Sequence, residues 1–435
     1  MRQTIDVHKQ RQRYDRAIAI LKEDPKILKS NQRTILKFAF ELQAEGIKIV
    51  RITKYIYLLR HIAKLLREEF EGANENDIKR ITAEINKSDY SDWTKSDYRV
   101  AIKRFYRWLR KLPNHQNPPE TAWLTIGTSN GHVLPEELLD ENEILKLAGA
   151  CENSRDRALV LTLAESGCRI AEVLTLRCKH VMFDRNGAVL IVTGKTGDRR
   201  VRIIAAAPAL SEWIKNHPLP DPDAPLWVNI GVTNHDDPLL YPAVRQLLKR
   251  LAKKAGIQKR IYPHLFRHSR ATFLSSHFTE AQLESYLGWL PGSKMSRIYV
   301  HLSGRDTDGP LLAMHGLSKD HEPELKLKTT QCPRCEYRNE PTAKFCGKCA
   351  MPLGIEAALK IEENRNEADS WLNLLLCDPD VKDLLARKLR EIISSQTRQG
   401  VLPVEPQPEL AEPVRAESQP KVAMEKRLQP QVEGA

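Results

Sequence analysis

Nowhere in the 435 residues is there an uninterrupted apolar run long enough to span a bilayer. The opening stretch, MRQTIDVHKQRQRYDR, is polar and lacks the apolar core that a signal peptide needs. Both absences point to a cytoplasmic chain with no membrane partner. A nucleotide-binding loop is missing too. Gly194-Lys195-Thr196 has the ending of one, but that motif needs a glycine five residues before Gly194, and position 189 is valine. An NTP-driven enzyme is therefore not expected. Nor do the eight cysteines read as disulfides. Four of them form two Cys-x-x-Cys pairs, which in a reducing compartment indicates metal, while Cys151, Cys168, Cys178 and Cys377 are scattered and read as ordinary thiols.

Acidic charge is scarce at one end. Residues 1–118 hold 26 Lys/Arg against 15 Asp/Glu, a net +11, within a chain total of +12 and a pI of about 9.2. Residues 135–317 hold 24 against 20, and residues 319–435 hold 18 against 20. A basic excess concentrated in one segment favours a nucleic-acid partner over a merely solvated surface.

That segment reads as helical. Ile52, Ile56, Leu59, Ile62 and Leu66 recur at helical spacing, as do Ile102, Phe105, Tyr106 and Leu109. The aromatic positions are expected in a core before they are expected to stack on bases. Between the stripes run Lys54, Arg60, Lys64, Lys103, Arg104, Arg107 and Arg110, a polar face able to meet phosphates. The pattern gives a helical domain over residues 1–118 and a Pro/Asn/Gly/Ser linker over 119–133.

Over residues 134–317 an α+β domain is expected. Its helices include one stopped at Gly167 and another headed by Arg169, which taken alone reads as a surface ion-pair residue or as an anion ligand at a helix start. Two β-rich runs around GKTGDR form a hairpin with Lys195 near its tip. Residues 243–256 make a basic amphipathic helix. The stretch from Tyr262 to His301 then places His264 and Arg267 three apart on one helical face. Thr279 and Gln282 cap the next helix, Gly288 stops it, Trp289 comes directly after, and Tyr299 lies ten residues on. A cationic clamp, an imidazole, an indole and a phenol together suggest phosphoryl transfer through a tyrosyl intermediate.

Beyond this domain stand Cys332-Pro-Arg-Cys335, ten residues, and Cys346-Gly-Lys-Cys349. The spacing matches a zinc ribbon over 329–354, with structural Zn²⁺ held by four thiolates and no open position for catalysis. Residues 355–397 carry a helical pattern broken at Pro379, whose apolar side either packs on the ribbon or meets a partner. Residues 400–435, rich in Pro, Glu and Gln, are expected to be disordered. The fold class is thus multidomain and mainly α, with a small β-hairpin sheet and a ribbon.

Arg169, Lys195, His264-x-x-Arg267, Trp289 and Tyr299, in the strings GCRIAEVLTL, VTGKTGDRRVRI, PHLFRHSRATFL, SYLGW and SRIYVH, stand in an order that resembles the tyrosine recombinase family (phage integrase, Xer-like). The resemblance covers residues 134–317 and, more loosely, the N-terminal helices, which look like the family's SAM-like core-binding module. The ribbon looks like the addition that archaeal integrases carry. The implied activity is site-specific DNA strand breakage and rejoining, for integration, excision or resolution, needing neither metal nor nucleotide. Tyr299 would be the nucleophile, leaving a 3′-phosphotyrosyl link. Arg169 and Arg267 would hold the phosphate, Lys195 would protonate the leaving 5′-oxygen, and His264 would orient phosphate and proton transfer. Trp289 would donate its indole N–H, and Glu172 would buttress the site. Tyr286 and Tyr262 are expected to be packing residues, and His268 structural. The implied partners are double-stranded DNA, further copies of the chain (a dimer on a site, a tetramer in synapsis) and an accessory directionality factor. The C-terminal extension favours a mobile-element integrase over a housekeeping resolvase. A catalytically silent DNA-binding protein that uses the ribbon as an interaction module is the rival, and a type IB topoisomerase-like enzyme the third reading.

Overall fold

The computed structural model describes residues 5–127, 135–194, 197–232, 234–293, 295, 299, 314–315 and 327–397. Lys195, residues 128–133 of the expected linker, His301 and the tail over 400–435 lie outside the described residues. The chain divides into two compact units, residues 1–357 and 358–435.

The first core is built from α1 (Gln10–Glu23), α2 (Lys29–Ala44), α3 (Ile49–Leu66), α4 (Glu75–Lys87) and α5 (Asp92–Leu109). The apolar stripes drive this packing. Ile52, Ile56, Leu59, Ile62 and Leu66 of α3 and Ile102, Phe105 and Tyr106 of α5 are all buried, with Phe105 edge-on to Phe38 and Phe70. Phe105 and Tyr106 are core residues, not stacking platforms. Most of the basic stripe has carboxylate partners. Arg60 and Lys64 converge on buried Asp24 at 2.5 and 2.8 Å, Arg104 pairs with Glu45 at 2.6 Å, and Lys54 pairs with Asp97. Arg110 reaches buried Glu120 at 2.6 Å. Glu120 belongs to a helical turn, α6 (Pro119–Ala122), so the segment read as linker from 119 opens on ordered chain packed against this core.

The second core gathers α7 (Glu141–Gly149), α8 (Ser154–Ser166), α9 (Ile170–Leu174), α10 (Ala207–Lys215), α11 (Tyr241–Lys254) and α12 (Pro263–Ser275), with α13 (Glu280–Leu287) beside α12. Between α9 and α10 runs an antiparallel sheet of β1 (Val181–Asp184), β2 (Gly187–Gly194) and β3 (Gly197–Ile203), in that order. Leu190 lies opposite Val201 and Ala188 opposite Ile203, and all four side chains are buried. The register runs through to Gly194 opposite Gly197. Residues before α1 also join this core: Val7 is buried there, and its carbonyl accepts from the Tyr241 N–H at 3.1 Å.

Two helices of this core stop on glycine. Gly167 closes α8 at φ +58°, and Gly288 closes α13 at φ +64°, left-handed positions that glycine adopts without steric penalty. The Thr279–Gln282 capping box at the start of α13 is present as expected.

The ribbon contains β4 (Thr330–Gln331) paired with β5 (Arg338–Asn339). Buried Glu340, just after β5, lies 3.8 Å from Arg157 of α8. Pro379 separates α14 (Ile355–Cys377) from α15 (Pro379–Thr397), and the large apolar residues described on α14 beyond Ala357 are exposed, Trp371 at 62% and Leu374 at 66%. No helix among the described residues is long and apolar enough to cross a membrane.

Candidate active site

The last carbonyls of an α-helix have no partner within the helix and carry the negative end of its dipole. In this protein three arginines take up those carbonyls. Arg267 of α12 donates to Gly167 O at 3.0 Å and to Leu287 O at 2.8 Å. Arg169, the residue before α9, donates to Gly288 O at 3.2 Å, and Arg199 of β3 donates to Tyr286 O at 3.0 Å. The ends of α8 and α13 thereby fix the guanidiniums before any substrate arrives. Glu172, 4% exposed, links two of them: its oxygens accept from Arg169 at 3.0 Å and from Arg199 at 2.7 and 3.1 Å. Burial alone would raise the Glu172 carboxyl, but the hydrogen bonds from Arg199 and Arg169 prevail and hold it below the ordinary carboxylate range.

Arg267 has the opposite balance. It is 2% exposed, and no carboxylate among the described residues pairs with it. Burial, then the positive charge of Arg169, push its pKa down to about 10, against the pull of Glu172. Two guanidiniums held close together with too little negative charge make a preformed anion site.

Trp289 lies over Arg267, whose guanidinium carbon is 5.4 Å from the ring centroid. Tyr299 stacks on Trp289 with centroids 5.3 Å apart and planes 11° from parallel. The tyrosine is 2% exposed, and burial pushes its pKa up to about 12 despite the nearby Arg267. Its oxygen lies 2.5 Å from His268 Nδ1. The His264 ring meets the His268 ring edge-on at 4.6 Å. Desolvation, then repulsion from His268 whenever that ring is protonated and from Arg267 and Arg169, holds the His264 pKa below its ordinary value, so this imidazole is neutral at neutral pH.

Compared with known families, residues 137–305 match the phage integrase family. These residues are a phage integrase family domain. The family expectation drawn from the five strings is met. Tyrosine recombinase XerA of Pyrococcus horikoshii is 26% identical over 261 residues, covering 58% of this chain and 83% of that protein. Among solved structures, a lambda integrase dimer bound to a COC′ core site is 16% identical, covers 63% of this chain and 78% of its own, and superposes with a TM-score of 0.51. XerH bound to its palindromic difH substrate, in a post-cleavage complex, is 18% identical over 72% of this chain and 98% of its own, with a TM-score of 0.50. These two likenesses establish a shared fold.

Within the integrase-family domain, Arg169, Glu172, His264, Arg267, Trp289 and Tyr299 come together as one constellation. Lys195 is outside the described residues, but Gly194 beside it is so close to Glu172 that a Cβ there would lie 2.5 Å from the carboxylate. Tyr286 is occupied elsewhere, its hydroxyl donating to Arg202 O at 3.0 Å and to Glu165 O at 3.3 Å. Sequence reasoning missed Arg199 altogether and read His268 as structural.

The four ribbon cysteines form a separate cluster, with all Sγ atoms within 4.8 Å of one another. Cys332 to Cys349 is 3.6 Å and Cys335 to Cys346 is 3.5 Å. Zn–S bonds of about 2.3 Å in a tetrahedron imply S–S edges of roughly 3.8 Å, so this donor set fits zinc.

Proposed function

We propose that this protein is a site-specific DNA recombinase, an integrase in role, that breaks and rejoins DNA strands through a 3′-phosphotyrosyl link at Tyr299. The observation that carries this reading is one phenol buried against Trp289 beside a preformed pair of guanidiniums. A phosphodiester would sit between Arg169 and Arg267, whose charge matters most as negative charge redistributes during attack. One preorganised donor of this kind lowers a barrier by about 3–4 kcal/mol. The Tyr299 oxygen would attack phosphorus in line, and the 5′-oxygen would leave, taking a proton from Lys195 at the hairpin tip. His264 would orient the phosphate. The covalent link conserves the phosphodiester bond energy, which fits a chain without a nucleotide-binding loop.

Double-stranded DNA is the partner, engaged by more than one copy of the chain. α11 supports this. Arg245, Lys249 and Lys253 recur every four residues on its exposed side and, with Arg260, line a cavity of about 740 Å³. None of the four has an ion pair among the described residues. The ribbon would hold one structural Zn²⁺ through Cys332, Cys335, Cys346 and Cys349, with no coordination site left for chemistry.

The deciding experiment incubates purified protein with nicked duplexes carrying a site selected by the protein from a random library, then denatures. A protein–DNA adduct at a 3′ end is expected from the wild type and from Tyr286→Phe, and none from Tyr299→Phe. Tight, specific binding without any adduct would turn the reading to a silent DNA-binding protein.

A further inference from the structure

Tyr299 has to lose a proton when its oxygen bonds to phosphorus, and the phenol is far from giving it up unaided, with a pKa pushed up to about 12 by burial. A base must therefore stand at the oxygen. Among the described residues the only side chain within hydrogen-bond distance of that oxygen is His268, with Nδ1 at 2.5 Å. His264 directs its ring against His268, not against the phenol.

We propose that His268 is the general base for Tyr299, a role that rests on the recombinase reading. Nδ1 takes the phenolic proton as the Tyr299 oxygen forms its bond to phosphorus and the bond from phosphorus to the 5′-oxygen breaks. The 5′-oxygen leaves protonated. In rejoining, the 5′-hydroxyl attacks and returns its proton to Lys195, which had supplied it in cleavage, while the bond from phosphorus to Tyr299 breaks and the phenol recovers its proton from His268. No proton is gained or lost over the full cycle.

The surroundings prepare both partners. Tyr299 is fixed by its stack on Trp289 and by the Ser275 hydroxyl, which donates to the Tyr299 carbonyl at 3.0 Å. Desolvation, and then Arg267, lower the pKa of His268, which favours the neutral ring, and in the tautomer with its proton on Nε2 the Nδ1 atom accepts from the phenol. Among the described residues, the other titratable groups facing this pair are His264 and Arg267 on the same helix and Tyr262 before it, with Arg169 acting in turn on His264 and Arg267. They are neutral or positive. An imidazolium at His268 would be unfavourable there until the phosphate brings its negative charge, which ties proton transfer to substrate binding.

Single-turnover adduct formation tests this, using the full chain and the selected nicked duplex over pH 5 to 9. Wild-type rates should fall on the acid side of the range, at a pH below the ordinary histidine value, as His268 takes up its proton. His268→Asn keeps an oxygen acceptor near the position of Nδ1 but no useful base. It should react roughly 10²–10⁴-fold more slowly and lose that acid limb. Added imidazole should restore part of the rate to His268→Ala, in proportion to its neutral form. A His268→Asn rate close to wild type would overturn the proposal. So would a slow His268→Asn with an unchanged pH profile and no imidazole rescue of His268→Ala, the pattern of a packing residue. If the wild type itself forms no adduct, the recombinase reading fails and this inference falls with it.

Discussion

Replacing Arg199 by methionine would leave Glu172 with a single guanidinium partner in a place where water cannot substitute. The two side chains are 11% and 4% exposed, and Arg199 also holds the end of α13 through Tyr286 O. Breaking a buried pair from one side costs up to about 3–5 kcal/mol when the remaining charge is left uncompensated, and Arg169, which still reaches Glu172, keeps the loss at or below the lower end. Urea unfolding of Arg199→Met should show a loss of that order, and the double variant with Glu172→Gln should recover part of it. Equal midpoints for wild type and Arg199→Met would show that the pair contributes nothing. The sign with pH comes from Glu172, whose folded pKa is lowered. Its contribution is present above the ordinary carboxylate value and is lost as pH falls through the folded value. Arg199 was legible in principle. Positions 199, 201 and 203 share one face of β3, and Val201 and Ile203 are fully buried, so an arginine at that parity requires a buried anion. His268 was less so. Its place one turn after His264 is periodicity, but the return of Tyr299 to that face across 31 residues is set by the chain path, which no local pattern specifies.

At the scale of elements, helices with strong apolar stripes and caps were legible, and weakly patterned strands were not. The β2–β3 hairpin was read from its two apolar runs. The edge strand β1 escaped because only Val181 faces inward, while Met182 and Phe183 remain exposed. Its signal was the tight connection, with Asp184 opposite Gly187. The ribbon was read from thiol spacing alone, and its backbone adds a reason to expect metal. Glu336 and Ala350, each one residue after a Cys-x-x-Cys pair, adopt positive φ of 56° and 58°. Such positions cost about 1 kcal/mol or more for residues with a side chain and persist where something holds them. Four metal–thiolate bonds would do so. Purified protein should carry one zinc per chain by elemental analysis. Chelation should raise amide exchange across residues 330–353 while leaving β2 and α8 protected. Zinc-free protein with the same exchange pattern would show that the ribbon folds without metal.

Taken over the whole molecule, net charge pointed to nucleic acid, but most of the cations it singled out on α3 and α5 already have carboxylate partners. The +11 of residues 1–118 suggested that the polar stripe of α3 and α5 meets phosphates, yet Arg60, Lys64, Arg104 and Arg110 are engaged with Asp24, Glu45 and Glu120. Counting charges along a sequence cannot distinguish a free cation from one whose carboxylate comes from a distant segment, as Glu120 does for Arg110. Only unpaired cations displace counterions from DNA without first breaking an ion pair, so the exposed row on α11 should contribute more to the salt dependence than the paired cations of α3 and α5. Each phosphate contact contributes about 0.9 to the slope of log affinity against log salt on B-form DNA. Arg245→Ala, Lys249→Ala and Lys253→Ala should each lower the slope by about that amount and weaken binding evenly across sequences. Arg60→Ala and Lys64→Ala should leave the slope near its wild-type value while lowering stability, since each strips a partner from buried Asp24. Titrations of a labelled duplex at several salt concentrations read both. A slope that drops with the α3 variants and holds with the α11 variants would return the phosphate-contacting face to the N-terminal helices, as the bare charge count had it.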